Sequence, residues 1–534
     1  MKSLRSLRNI AGIVAIATLI SKLFGVLRST SIAAVFGVGP VANAYYYAYI
    51  IPGFLMVLVG GINGPIHTAL VSILAKQQSL NTENTDKLVA TINTLITMIL
   101  LPLSIIIFIF APFWINLLAP GLNEPVREAA IHQLQIMAPI ALLSGLIGVG
   151  MGSLNSADFY WLPSVSPMLS SLCVIISLGF FAWYSQGDIN SPDNILLGGI
   201  ILALGTLAGA VFQWLAQLLL QIKKGIISIR PDFNFASSEV REFMGLMFPS
   251  VLSAGIYNIN VYIDLWFASY IPYGAASLSY AQLLSYTPVG IISNVLLVPL
   301  LPRFSQLAAN EKWTQLRQQI RQSIIFAALI ILPLAALMAF MAVPIVRIIY
   351  QRQAFDEKAV KLVASVLVAY SLEMFPSVCL QLLMRVYYAL GDAKTPFRIS
   401  AFNILFNIGL DYFLVTKFGI PGLVLATMVI NIIALGRLLS GLNHRIGGLS
   451  WHNMSLSIIG IAAASIVAGF VSWQISLSIS GFWEINGMFL SLTQLGISAT
   501  VGLGVFILLA ILLAKYLKLK EVDYFAQLLY QRFR

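Results

Sequence analysis

The run SKLFGVLRSTSIAAVFGVGPVANAYYYAYIIPGFL, Ser21–Leu55, carries two charges, Lys22 and Arg28, and no acidic residue. Its apolar side chains fall on every side of a helix, a pattern found in buried or membrane-spanning helices. Gly37, Gly39 and Pro40 divide it into two stretches, each able to continue to the ~20 residues that cross a bilayer. The same pattern recurs to the end of the chain. Over all 534 residues, 59% are hydrophobic, 10% are charged and the mean hydropathy is +0.89. A soluble domain carries about 25% charged residues. A chain this apolar cannot cover its own surface in water, so the bilayer is its solvent.

Apolar stretches of spanning length predict fourteen transmembrane helices. They lie over 9–36, 42–75, 86–113, 125–154, 163–185, 194–222, 238–271, 275–308, 314–343, 359–390, 396–418, 421–446, 452–479 and 487–517. Met1–Arg8 and Ile10–Ile20 mimic a signal peptide, but the segment runs on through Lys22 and Arg28 without a small-residue cleavage site. It reads as the first span. An even count puts both termini on one side. Lys76, Lys87, Lys223, Lys224, Arg230, Arg303, Arg317, Lys394, Arg398 and Arg445 all fall in loops or helix ends on that side. The excess of Lys and Arg marks it as cytoplasmic. The net charge of +11 is thus that of a membrane protein with basic inner loops and implies no nucleic acid. The tail KLKEVDYFAQLLYQRFR (518–534) alternates basic and apolar residues and reads as lying on the membrane surface.

An internal repeat divides the chain. Pro52 and Pro288 lie 236 positions apart, as do Leu154 of LNSADFYWLP and Leu390 of LGDAKTP. The repeat predicts two six-helix lobes, 1–236 and 237–446, in the same orientation, with two further helices and the tail in 447–534. The connector 223–237, beginning KKGIISIRPDFNF, joins the lobes.

Function is carried by the few polar groups inside spans, because each costs several kcal/mol in hydrocarbon unless paired or hydrated. Lys22 and Arg28 sit about 120° apart around helix 1. They can border one broad cavity and supply a cationic lining for a phosphate or diphosphate; otherwise they snorkel or pair internally. The second set is acidic: Asp264 on helix 7, Asn407 and Asp411 one turn apart on helix 11, and Thr427 on helix 12, with the Leu423 carbonyl one turn before it. An oxygen-rich set of this kind suits a hard cation such as sodium, or protons. Glu373 and Arg385, both on helix 10, are twelve residues apart, too far to pair along one helix, and read as structural ion-pair members. Asn43, Pro52, Gly60, Gly61 and Pro65 on helix 2 and Pro288 on helix 8 mark cavity-lining or hinge positions, since helix breakers at matching places in two repeats point to the substrate interface. Cys173 and Cys379 lie in apolar runs and imply no disulfide. No nucleotide-binding loop, nucleophile elbow or zinc motif is present, so transport energy would come from an ion gradient, the membrane potential or substrate consumption.

These landmarks resemble a known family. SKLFGVLRSTSIAAVFGVGPVANAYYYAYIIPGFL is similar to the first two helices of the MurJ (MviN) lipid II flippases. LAPGL (118–122), LNSADFYWLPSVSPML (154–169) and above all YYALGDAKTP (387–396) continue the likeness over essentially the whole chain. The family belongs to the multidrug/oligosaccharidyl-lipid/polysaccharide exporter superfamily. The resemblance implies an all-α, V-shaped, two-lobed fold that works by alternating access. It implies a central cavity between helices 1, 2, 7 and 8, and a lipid groove on helices 13 and 14. The implied substrate is lipid II, an undecaprenyl-diphosphate-linked muropeptide, flipped outward across the bacterial inner membrane for peptidoglycan synthesis. The family's cationic positions on helix 1 fall on Lys22 and Arg28. Its sodium site falls on Asp264, Asn407, Asp411, Leu423 and Thr427, with Na+ as coupling ion. The chain departs from the pattern at Met56 and Val57, where the family has an arginine, at Asn43, where it has an acid, and at Leu283 and Tyr286, where it has a basic and acidic pair. The competing readings are export of another undecaprenyl-linked glycan or of a drug-like cation, a membrane glycosyltransferase, and a non-transporting scaffold. The transferase would need a large external loop with catalytic carboxylates, and the external loops are short.

Overall fold

A computed structural model describes residues 4–61, 64–79, 85–185, 192–227, 230–297, 300–448, 451–482 and 488–517. Every regular element among them is an α-helix. The tail 518–534 lies outside the described residues.

The chain divides into two compact units. The first is Met1–Ala276 with Arg352–Phe355, and the second is Ser277–Gln351 with Asp356–Arg534. The first contains α1 (Leu4–Phe36), α2 (Pro40–Ala48), α3 (Ile50–Leu58), α4 (Pro65–Ser79), α5 (Thr85–Ile109), α6 (Ala111–Leu118), α7 (Glu124–Met137), α8 (Ile140–Ser156), α9 (Trp161–Val165), α10 (Pro167–Tyr184), α11 (Pro192–Lys223) and α12 (Ser238–Ala268). The second contains most of α13 (Gly274–Leu297), then α14 (Leu300–Ala309), α15 (Trp313–Phe340), α16 (Ala342–Tyr350), α17 (Glu357–Ala389), α18 (Lys394–Phe418), α19 (Ile420–Ile446), α20 (Trp451–Phe482) and α21 (Met488–Leu517). The lobe boundary read from the repeat falls before α12, whereas α12 packs on α3, α4 and α5 of the first unit. Lys76 and Glu242 pair at 2.9 Å and the Phe54 and Tyr262 rings meet edge to face at 5.3 Å, fixing α12 there.

Ten of the described helices are long and apolar enough to cross a membrane, and the count reaches twelve if two bent pairs are each one span. The fourteen expected spans are therefore met in part. Segment 238–271 holds α12 and segment 275–308 holds most of α13 and α14, and Ile259–Ala268 of α12 is a shorter apolar stretch. Many expected spans are broken helices. Span two becomes α2, α3 and α4, with a 44° bend between α2 and α3. The ring of Pro52 clashes with the carbonyl four residues back, that of Ala48, and helix α2 stops there. Spans three and nine break at Phe110 and Met341, whose backbone angles nearly coincide (φ −95°, ψ 20° and φ −103°, ψ 17°).

The core of the first unit centres on α8, buried over almost all of Ile140–Leu154 and packed against α4, α5 and α11. Gly148 makes this possible. A Cβ there would lie 2.1 Å from the Val59 carbonyl oxygen at the end of α3, so only glycine lets the two backbones meet. The core of the second unit is built from α13 to α15, α17 and α19 to α21, with Phe304, Ile320, Leu383, Tyr387 and Leu438 fully buried.

Candidate functional site

Arg28 lies on the last third of α1, and α1 packs on α2, α9 and α10. The guanidinium sits 5.8 Å from the Tyr49 ring centre, within cation–π range. Tyr45 stacks on Tyr49 at 5.6 Å and meets Tyr46 edge-on at 5.5 Å. The Tyr45 hydroxyl shares a 3.1 Å hydrogen bond with Thr206, which fixes the stack against α11. Arg28 Nε is buried and makes no hydrogen bond among the described residues. None of α1, α2, α9 and α10 contains an acidic residue; the first in the chain is Glu83. The charge of Arg28 is cushioned by aromatic faces, and among the described residues no ion pair engages it. Lys22 is half-buried on the same helix, six residues, or ~9 Å, earlier.

Asn43 is buried, and its carboxamide oxygen accepts from the Ala275 and Ala276 amides at 3.1 and 3.3 Å. These amides belong to the first turn of α13, which has no intrahelical acceptors of its own. Asn43 thus supplies a helix cap from a distant element. Gly60 and Gly61 lie in the break between α3 and α4, and Pro65 is the first residue of α4, where its missing N–H costs nothing. Pro288 lies inside the continuous α13, and the preceding Thr287 hydroxyl donates to the Leu283 carbonyl at 2.7 Å. Leu283 is half-buried, and Tyr286 faces Tyr370 at 5.8 Å.

In the second unit, Asn407 Nδ2 donates to Asp411 Oδ2 at 2.7 Å, and both side chains are fully buried on α18. Helix α19 packs alongside α18 and carries the fully buried Leu423 and, one turn on, the half-buried Thr427. The structure therefore keeps four of the five cation-site residues on this helix pair, while Asp264 belongs to the first unit. Glu373 accepts from Asn431 Nδ2 of α19 at 2.9 Å, and Arg385 donates to the Leu297 carbonyl at the end of α13. They do not pair with each other.

Two features escaped the sequence reading. Gln213, Gln217 and Gln221 form a buried seam along α11: Gln217 donates to Ser166 at 2.9 Å and Gln221 to Ser153 at 2.7 Å. The signal was a glutamine at every fourth position of an apolar helix. The second feature is the clasp made inside the GDAKTP turn, whose letters stood out while its bonds did not. Asp392 accepts from the Thr395 amide at 3.0 Å and hydroxyl at 2.6 Å and pairs with Arg445 at 2.6 Å. The Thr395 hydrogen bonds, and then the Arg445 charge, hold the Asp392 carboxyl below the usual carboxylate range. The turn clasps α17, α18 and α19 together.

The profile of the family described as lipid II flippase MurJ matches residues 32–494. The chain belongs to the MurJ lipid II flippase family. A probable lipid II flippase MurJ of Synechocystis sp. is 46% identical over 533 residues, covering 100% of this chain and 99% of its own. One from Vibrio cholerae is 26% identical and covers 96% of each. A solved structure of lipid II flippase MurJ in an inward closed conformation shares the fold with a TM-score of 0.73 at 22% identity, covering 94% of this chain and 99% of its own. A multidrug resistance MATE transporter of the MOP superfamily, solved facing inward, follows with a TM-score of 0.61 at 15% identity, covering 82% of this chain and 98% of that one. Membership in the MurJ family makes the protein a multi-pass membrane transporter and not an enzyme.

Proposed function

We infer that the protein moves lipid II from the inner to the outer leaflet of the bacterial inner membrane for peptidoglycan synthesis, with both termini in the cytoplasm. The observation that carries the mechanism is Arg28: a half-buried side chain whose guanidinium rests on Tyr49, with no acidic residue on α1, α2, α9 or α10. A charge held in a membrane without a counter-ion awaits one from outside the protein. A diphosphate accepts hydrogen bonds from a guanidinium in bidentate fashion, while Lys22 adds a point charge. The tyrosines hold Arg28 in place, so little side-chain freedom is lost when the headgroup arrives. With Met56 and Leu283 where the family has basic residues, recognition rests more heavily on Lys22 and Arg28.

The two repeats act as lobes in an alternating-access cycle, with helix-breaking residues such as Gly60, Gly61, Pro65 and Pro288 allowing their helices to bend. α20 and α21 add two further helices to the second unit, with α20 packed on α15. Asp411, Asn407, the Leu423 carbonyl, Thr427 and Asp264 would hold a sodium ion. The buried carboxylate, amide and carbonyl found together on α18 and α19 have the oxygen chemistry a hard cation needs. That ion would supply the gradient energy for transport. The test is complementation of a strain depleted of its own lipid II flippase, reading lipid II accessibility at the outer face. Growth together with restored accessibility is expected; growth arrest with well-expressed protein would refute the function.

A further inference from the structure

A second group of cations lies on the outside of the second unit, away from Arg28. Among the long apolar helices α18 is the least covered, with 17% of its most apolar window buried, and it packs chiefly on α19. Lys394, Arg398, Phe402 and Phe406 follow one another at four-residue steps on α18. Each step turns only about 40°, so they form one stripe. Lys394, Arg398, Phe402 and Phe406 are all exposed. Arg437 of α19 is exposed as well and lays its guanidinium over the Phe402 ring, 4.1 Å from the centroid. The Phe402 and Phe406 rings lie 4.6 Å apart.

Among the described residues no carboxylate pairs with these cations. There is none from Ala393 to Leu410 and none in α19. Asp392 is engaged by Arg445, and Asp411 is buried against Asn407. Arg437 lies nine residues, or ~13 Å, before the end of α19, within a span where an exposed arginine is costly unless it reaches a polar partner. Exposed apolar side chains lie one turn from Phe402 and from Arg437: Leu405 is 69% exposed and Ile433 39%. A free phosphate would satisfy the cations and leave these surfaces bare. A phosphate that carries acyl chains covers both.

We propose that this face of α18 and α19 binds one anionic glycerophospholipid of the surrounding bilayer. Arg398 and Arg437 hold its phosphate, Lys394 adds charge at the membrane edge, and the acyl chains lie against Phe402 and Phe406. The side chains of this face are exposed, which suits a lipid exchanging with the bulk membrane. On the positive-inside orientation it belongs to the cytoplasmic leaflet. The site is independent of the flipping reaction.

The full-length protein in detergent, titrated with palmitoyl-oleoyl phosphatidylglycerol or with the matching phosphatidylcholine, tests this by native mass spectrometry. Preferential retention of one phosphatidylglycerol is expected. Arg437→Gln and Arg398→Gln should each weaken it by about fivefold, the effect of one cation near an anionic headgroup. Lys417→Gln, at the far end of α18 where the ammonium sits over Phe413, should leave it unchanged. Arg398 is exposed near the helix start, so its variant reads the site even if Arg437→Gln fails to fold. Equal retention by wild type and the Arg398→Gln variant, equal binding of phosphatidylcholine, or displacement of phosphatidylglycerol by equimolar undecaprenyl diphosphate would overturn the proposal.

Discussion

Pro52 and Pro288 occupy matching places in the two repeats, yet they do different things to the backbone. Pro52 ends α2 at Ala48 and starts a new helix at 44° to it. Pro288 rides inside an unbroken α13, where the Thr287 hydroxyl bonds the Leu283 carbonyl beside the gap. The charges within the apolar helices differ in the same way. The first unit holds a cation, Arg28, against tyrosine rings; the second holds carboxylates, Asp411 and Glu373, against the amides of Asn407 and Asn431. A repeat preserves the path of the chain and leaves each copy free to specialise. One copy presents positive charge suited to an anionic headgroup, and the other an oxygen-rich set suited to a cation.

That contrast can be broken most severely at Arg28. Arg28→Ala should abolish complementation of a flippase-depleted strain while the protein is still made, and Arg28→Lys should restore part of it; full rescue by the alanine variant would remove the division of labour. Next in size is Asp411→Asn in the second unit, which should erase the sodium dependence of transport in vesicles. Unchanged dependence would leave that unit without its proposed role. Gly148→Val attacks the first unit's packing and should lower its thermal stability by about 1–3 kcal/mol, the usual cost of overfilling a tight contact. The smallest effect is expected at the GDAKTP turn of the second unit. Its depressed Asp392 carboxyl contributes stability above the unfolded carboxylate pKa, and that contribution is lost as pH falls through the folded value. Melting temperatures below neutral pH should therefore fall more for wild type than for Asp392→Asn, and parallel profiles would count against the clasp.

The fold class was legible because hydropathy alone separates a bilayer solvent from water. So were the breaks around Gly60 to Pro65, where glycines and proline cluster. The repeat was legible, but its register at the second landmark was not. The turns after α8 and α17 match by backbone: Phe159 N–H bonds the Leu154 carbonyl and Asp392 N–H the Tyr387 carbonyl, both at 2.9 Å. Asp158 and Gly391 take the same left-handed conformation (φ 67° and 72°). Leu154 therefore pairs with Tyr387 and not Leu390. The letters match Leu154 to Leu390, three residues on, because glycine fills the left-handed position in one turn and aspartate in the other. Asn43 was singled out by position, but its bond to the start of α13 depends on packing 232 residues away, which no local pattern records. Arg28 was found because a charge in an apolar run stands out; its tyrosine bed was visible only as the letters YYYAY.

The central claim is that this chain carries lipid II across a bilayer on the charge of Arg28. Purified protein in liposomes containing fluorescent lipid II, with a membrane-impermeant quencher added outside, measures that directly. Wild type should expose inner-leaflet lipid II to the quencher well above the rate of empty vesicles, and Arg28→Ala should match empty vesicles. Wild-type vesicles that quench no faster than empty ones, or an Arg28→Ala protein as fast as wild type, would contradict it.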